Sequence, residues 1–90
     1  MHMEIEWGAV KAAANLKKHG VSFDEAATSL LDPVARAQED DASVGEGRWV
    51  LIGMSARARL LTVVYALRGE TRIRLISARR ATRKEASYYA

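Results

Sequence analysis

The sequence predicts an α+β fold: a short N-terminal strand and two helices packed on an antiparallel sheet of three to four strands, followed by a C-terminal helix. Three observations carry this. Apolar residues recur twice at helical spacing before Asp32-Pro33. From Arg48 onward, apolar runs are joined by turn residues, which is the pattern of paired strands. The two helical pieces make a small-residue pair suited to covering one face of such a sheet. The 90 residues suffice for a single domain spanning 1–90. Met1-His2 reads as a vector scar before a native start at Met3, so His2 is set aside.

Met3 to Trp7 alternates apolar and acidic side chains and suits a short half-buried strand. Ala9, Ala12, Ala13 and Leu16 then form an amphipathic stripe. Lys17, Lys18 and His19 end that helix, with positive charge where its dipole is negative, and Gly20 suits the left-handed cap. In the second helix Ser22 and Glu25 are spaced as a capping box, and Val21 can staple to Ala26. Phe23, Ala26, Ala27, Leu30 and Leu31 are its buried stripe, and Asp32-Pro33 stops it. Val34 to Gln38 is read as a short edge strand. Glu39 to Ser43 is an acidic loop whose spacing matches no metal-ligand pattern.

Arg48 to Met54 reads as a buried strand, with Gly53 at a bulge. Ser55 to Ala58 turns the chain into the strand Leu60 to Arg68. Thr71 to Ser77 pairs with that strand through a Gly69-Glu70 hairpin. This register sets Tyr65 opposite Arg74 and Leu67 opposite Arg72. Arg57, Arg59, Val63, Tyr65, Arg72, Arg74 and Ile76 then share one face. Thr62, Val64, Ala66, Ile73 and Leu75 turn toward the helices. The last element, a helix, runs from about Arg79 to Tyr89.

Charge is unevenly placed. Residues 57–89 hold nine basic and two acidic side chains, while the rest of the chain holds five basic and nine acidic ones. Folded basic surfaces of this kind usually meet phosphates. There is no cysteine, which removes disulfide and thiol chemistry and fits a cytoplasmic location. No apolar run approaches the ~20 residues that span a bilayer. Glycine-rich phosphate loops, His/Glu zinc motifs and a serine elbow are absent from the sequence. No cofactor or metal is expected.

Arg79 and Arg80 stand out because they open the predicted last helix, where cations are locally unfavourable. Two guanidinium groups and free backbone N–H groups aimed at one spot would hold an oxyanion. The competing reading is an ion pair to Glu85 or to a partner protein. Trp7 and Trp49 read as core. Tyr88 and Tyr89 read as side chains packed back on the sheet.

The segments KHGVSFDEA (Lys18 to Ala26), LDP (Leu31 to Pro33), RWVLIG (Arg48 to Gly53), RLLTVVY (Arg59 to Tyr65) and IRLISARRATRKE (Ile73 to Glu85), in that order, resemble BrnT-type ribonuclease toxins. The resemblance implies a RelE-like fold and metal-independent cleavage of RNA that inhibits translation. It also implies neutralisation by a BrnA-type antitoxin, with operator DNA bound only through that antitoxin. It leaves room for a toxin dimer within a heterotetramer. The chain departs from the family pattern at Gly8, where an acidic residue is common, and at Ala66-Leu67, where a polar pair is more usual.

Cutting RNA without metal requires alignment of the 2′-OH, stabilisation of the phosphorane and movement of two protons. Under the resemblance Arg79 and Arg80 stabilise the phosphorane, supported by Arg59 and Arg74. Tyr65 stacks on a base or donates a proton. His19 is either a general acid or base, or a cap on the helix carbonyls packed against Trp7. Arg57, Arg72, Arg74, Arg83 and Lys84 hold or steer RNA. The alternative is a non-catalytic RNA-binding or complex-forming module.

Overall fold

The computed structural model describes residues 3–40 and 47–89. Met1-His2 and the acidic loop from Asp41 onward lie outside the described residues, so the structure does not address the readings made of them. The elements are β1 (Glu4–Glu6), α1 (Ala9–His19), α2 (Phe23–Ser29), β2 (Arg36–Glu39), β3 (Arg48–Met54), β4 (Leu60–Arg68), β5 (Arg72–Arg80) and α3 (Arg83–Ala86). The α+β class holds. The strands form one five-stranded sheet in the order β1-β5-β4-β3-β2. That is one strand more than expected, and the sheet is mixed, because β1 runs parallel to β5 along its outer edge.

Two layers make the core. Val21, Phe23 and Ala26 from the helical side pack on Leu51, Leu61, Val63, Tyr65, Leu75 and Ala78 of the sheet. Trp7 and Trp49 pack against this cluster, as expected, and Trp7 meets Phe23 edge-on with ring centroids 6.0 Å apart. α2 forms as its signals require. Ser22 Oγ accepts from the Glu25 amide at 3.0 Å, and Val21 and Ala26 are fully buried. The Glu25 side chain does not return to Ser22, however, because Arg59 and Ser55 claim it.

α1 is rotated from its predicted orientation. Leu16 is 51% exposed and Val10 86%, while Asn15 is buried. The Asn15 amide donates to the carbonyls of Val21 (2.9 Å) and Ala78 (2.8 Å) and accepts from the Ala78 N–H (3.0 Å). β1 pairs only with residues 72–74 of β5. Asn15 therefore satisfies backbone groups farther along the same edge. Leaving those groups unpaired would cost more than exposing Leu16.

The hairpin register is also displaced. Arg68 pairs with Arg72 and Tyr65 with Leu75, so the loop has three residues, with Gly69 in the left-handed region at φ 66°. An irregularity follows between Val64 and Tyr65, beyond which Val64 pairs with Ser77. A one-residue slip exchanges the faces of a strand. Val63 and Tyr65 therefore point to the helices, and Thr62, Val64 and Ala66 point away, the reverse of the expectation. β3 carries no bulge. Gly53 is needed there for clearance, since a Cβ would come within 2.8 Å of the Ser29 carbonyl oxygen.

β5 continues through Arg80, so the last helix is a single turn, Arg83–Ala86. It opens on a complete Thr82/Glu85 capping box.

Candidate nucleic-acid interface

Residues paired across a sheet share a face. On the face away from α1 and α2, the register sets four rows: Arg36, Ile52, Thr62 and Arg79; then Gln38, Val50, Val64 and Ser77; then Arg48, Ala66, Arg74 and Glu6; then Arg68, Arg72 and Glu4. Six arginines from four strands thus surround an apolar centre of Val50, Ile52 and Val64. Ala66, buried, lies between Arg48 and Arg74 in the third row.

Carboxylates restrain part of this charge. Glu6 lies 3.0 Å from Arg74 and 3.6 Å from Arg72, whose side chains remain 39% and 57% exposed. Arg79 donates through both terminal nitrogens to Glu85, at 2.7 and 2.6 Å. Glu85 also accepts from Thr62 Oγ1 (3.0 Å) and the Thr82 amide (2.8 Å). Chiefly through Arg79, and against the cost of burial, these donors lower the Glu85 carboxyl pKa to about 2.

The C-terminal turn lies along one border of this face. The Tyr89 hydroxyl donates to Asp32, whose carboxylate also accepts from the amides of Met54 (2.8 Å) and Val34 (3.0 Å). Tyr88 is 56% exposed and lines a cleft of about 480 Å³ together with Arg36, Ala37, Gln38, Val50 and Ile52.

A second basic group lies at the end of the sheet where α1 stops, β4 begins and β5 ends. Arg59 forks onto Glu25, with Nε donating at 2.8 Å, and reaches the Gly20 carbonyl at 3.3 Å. The Arg59 hydrogen bonds outweigh burial and lower the Glu25 carboxyl pKa to about 2. Arg57 stands 3.8 Å from Glu25 and is largely exposed. His19 is one helical turn past Asn15, toward this same end. Arg80 pairs with Leu61, which puts it on the helix side of the sheet. Arg83 and Lys84 are exposed on α3.

The structure therefore divides the sequence-predicted residues. Arg72, Arg74 and Arg79 share the outer face; Arg57, Arg59, Arg80 and His19 gather at the helix-side end. Arg79 and Arg80 do not converge on a helix N-terminus, because they are neighbours in a strand and point to opposite faces. The competing reading of Arg79, an ion pair to Glu85, is what the structure shows. Tyr65 is 8% exposed within the core, and burial raises its pKa, so it has no surface on which to stack a base. The sequence reading missed Arg36, Arg48, Arg68 and Gln38 as members of the outer face. Their alternation in β2, β3 and β4 carries the signal, but only once the register is known.

A family profile described as the ribonuclease toxin BrnT of type II toxin–antitoxin systems matches residues 7–85. The chain is similar to the 1.1 Å crystal structure of the Brucella abortus ribonuclease toxin BrnT. That likeness has a TM-score of 0.72 and 25% sequence identity, over 90% of this chain and 99% of the other. No curated protein sequence matches the chain.

Proposed function

Because the chain belongs to the BrnT family, the ribonuclease toxins of type II toxin–antitoxin systems, we propose that it is a metal-independent endoribonuclease that works on the outer face of its sheet. Cutting RNA there inhibits translation in the cytoplasm, and a cognate DNA-binding antitoxin of the BrnA type silences it by covering that face. The observation that carries the reading is the convergence of arginines from β2, β3, β4 and β5 on the face that the two long helices leave open.

Arginine suits this chemistry because its fork pairs two phosphate oxygens and stays charged throughout. Arg72 and Arg74 seat the RNA backbone. Arg79 stabilises the phosphorane when a phosphate oxygen takes the place of one Glu85 oxygen, with Arg74 in support. Arg80, at the last strand pairing, and Arg83 and Lys84, beyond it, steer the strand inward. Arg59 acts through Glu25 as a positioning residue for α2, and His19, the last residue of α1, takes no part in the step. Metal independence is part of the proposal, because guanidinium groups can supply the charge stabilisation that the step requires. No three His, Asp or Glu side chains gather to hold an ion among the described residues.

The test uses purified protein with EDTA and a structured RNA on a denaturing gel. The Arg72→Ala/Arg74→Ala double variant and Arg79→Ala run beside the wild type, with Val10→Ser as a control on the far helix. Discrete products from the wild type and the control, reduced at least a hundredfold in the other two, support the reading. Equal cleavage by all four would sink it. The occupation of Arg79 by Glu85 favours one second reading, a non-catalytic RNA-binding or complex-forming module. A gel shift without products would select that reading.

A further inference from the structure

We propose that the cleft between β2, β3 and Tyr88 is a nucleobase pocket that gives the cutting face its sequence preference; this rests on the function proposed above. Its floor is apolar, formed by Val50 and Ile52. Arg36, Ala37 and Gln38 of β2 and Tyr88 line the rest of it. Among the described residues no hydrogen bond engages the side chain of Arg36, Gln38 or Tyr88. An apolar floor with a few unengaged polar groups at its rim is the make-up of a ligand site.

The polar groups match a base. Tyr88 offers a half-exposed ring, and single-stranded bases bind by stacking on such rings. Gln38 carries a donor and an acceptor side by side, which can pair with a base edge. Arg36 lies two residues before Gln38 on the same strand face, where it can hold the adjoining phosphate. The pocket also lies within the arginine face. Arg79 shares the row of Arg36 and Ile52, and Arg48 lies two residues before Val50. A strand seated on the arginines would pass over the cleft with its bases free to enter. That positive surround favours RNA over an acidic side chain of a protein, because successive phosphates can meet successive rows of guanidinium groups.

The experiment measures single-stranded RNA affinity by fluorescence anisotropy and maps cut sites on a randomised RNA, for wild type, Tyr88→Ala, Tyr88→Phe and Gln38→Leu. Melting curves check that each variant folds. Stacking predicts about a tenfold loss of affinity for Tyr88→Ala, largely recovered in Tyr88→Phe. Gln38→Leu should flatten the base preference at one position beside the cut while leaving the positions farther away as they were. If the wild type cuts RNA but Tyr88→Ala and Gln38→Leu keep its affinity and cut-site pattern, the pocket is overturned and the proposed function stands. If the wild type neither binds nor cuts RNA, both fall. If the variants lose antitoxin binding while RNA affinity is unchanged, the cleft serves a protein and the inference is overturned.

Discussion

Arg59 and Glu25 form a forked ion pair that ties the first turn of α2 to the start of β4, with the carboxylate almost wholly withdrawn from water. Ser55 Oγ donates to the same carboxylate at 2.7 Å. The pair joins segments 34 residues apart in sequence. It closes the helical layer over the sheet.

Acid should therefore weaken the fold in a defined window. The Glu25 pKa is about 2 in the folded chain and near 4.5 when unperturbed. Its contribution is fully present above pH 4.5 and is lost as pH falls toward 2, about 3 kcal/mol in all. Glu85, lowered in the same way, adds to the same limb. Urea midpoints from pH 7 to 2 should stay level to about pH 5 and then drop. Glu25→Gln should be less stable at pH 7 and show a shallower acid limb, because its own titration is gone. An identical limb in that variant would assign the acid loss to other groups.

Asn15→Ala should cost about 3 kcal/mol, since it leaves the Ala78 N–H and two carbonyls without their partner. Leu16→Ser, one residue on and half exposed, should cost little. Denaturant unfolding of both variants checks the rotation of α1. Equal losses would mean that the apolar stripe, and not the amide, faces the sheet.

Removing Arg72 and Arg74 should change the salt dependence of RNA binding as well as its strength. Each phosphate contact on single-stranded RNA contributes about 0.7 to the slope of log affinity against log salt, so the double variant should lose about 1.4. An unchanged slope would place the phosphate path elsewhere. The helix-side group of Arg57 and Arg80 would then be the next to examine.

Gly53→Ala should destabilise the chain by about 1–3 kcal/mol through overpacking, because the added carbon meets the Ser29 carbonyl and Leu51 within 3 Å. A neutral result on thermal unfolding would show that α2 can lift from β3 at no cost.

The helices, the strands and the basic surplus of the C-terminal half follow from local patterns, which the sequence alone displays. Ser22 caps its helix because the signal needs only a hydroxyl three residues before an amide. The BrnT resemblance rests likewise on short segments in order. Which arginines share a face was not legible. A three-residue loop in place of two, and one irregularity at Val64, decide whether Tyr65 or Thr62 looks out. Gly69, at φ 66°, suits the longer loop, but the pattern of apolar residues does not reveal the irregularity. Asn15 carries no signal in the sequence, and its role appears only where the edge of β5 supplies its partners. Arg79 and Arg80 read as a pair opening a helix, yet β5 runs through both and a strand sends neighbours to opposite faces. The sequence determined the elements and the charge. Tertiary structure alone decided where the charge is presented, because strand register depends on contacts between residues far apart in the chain.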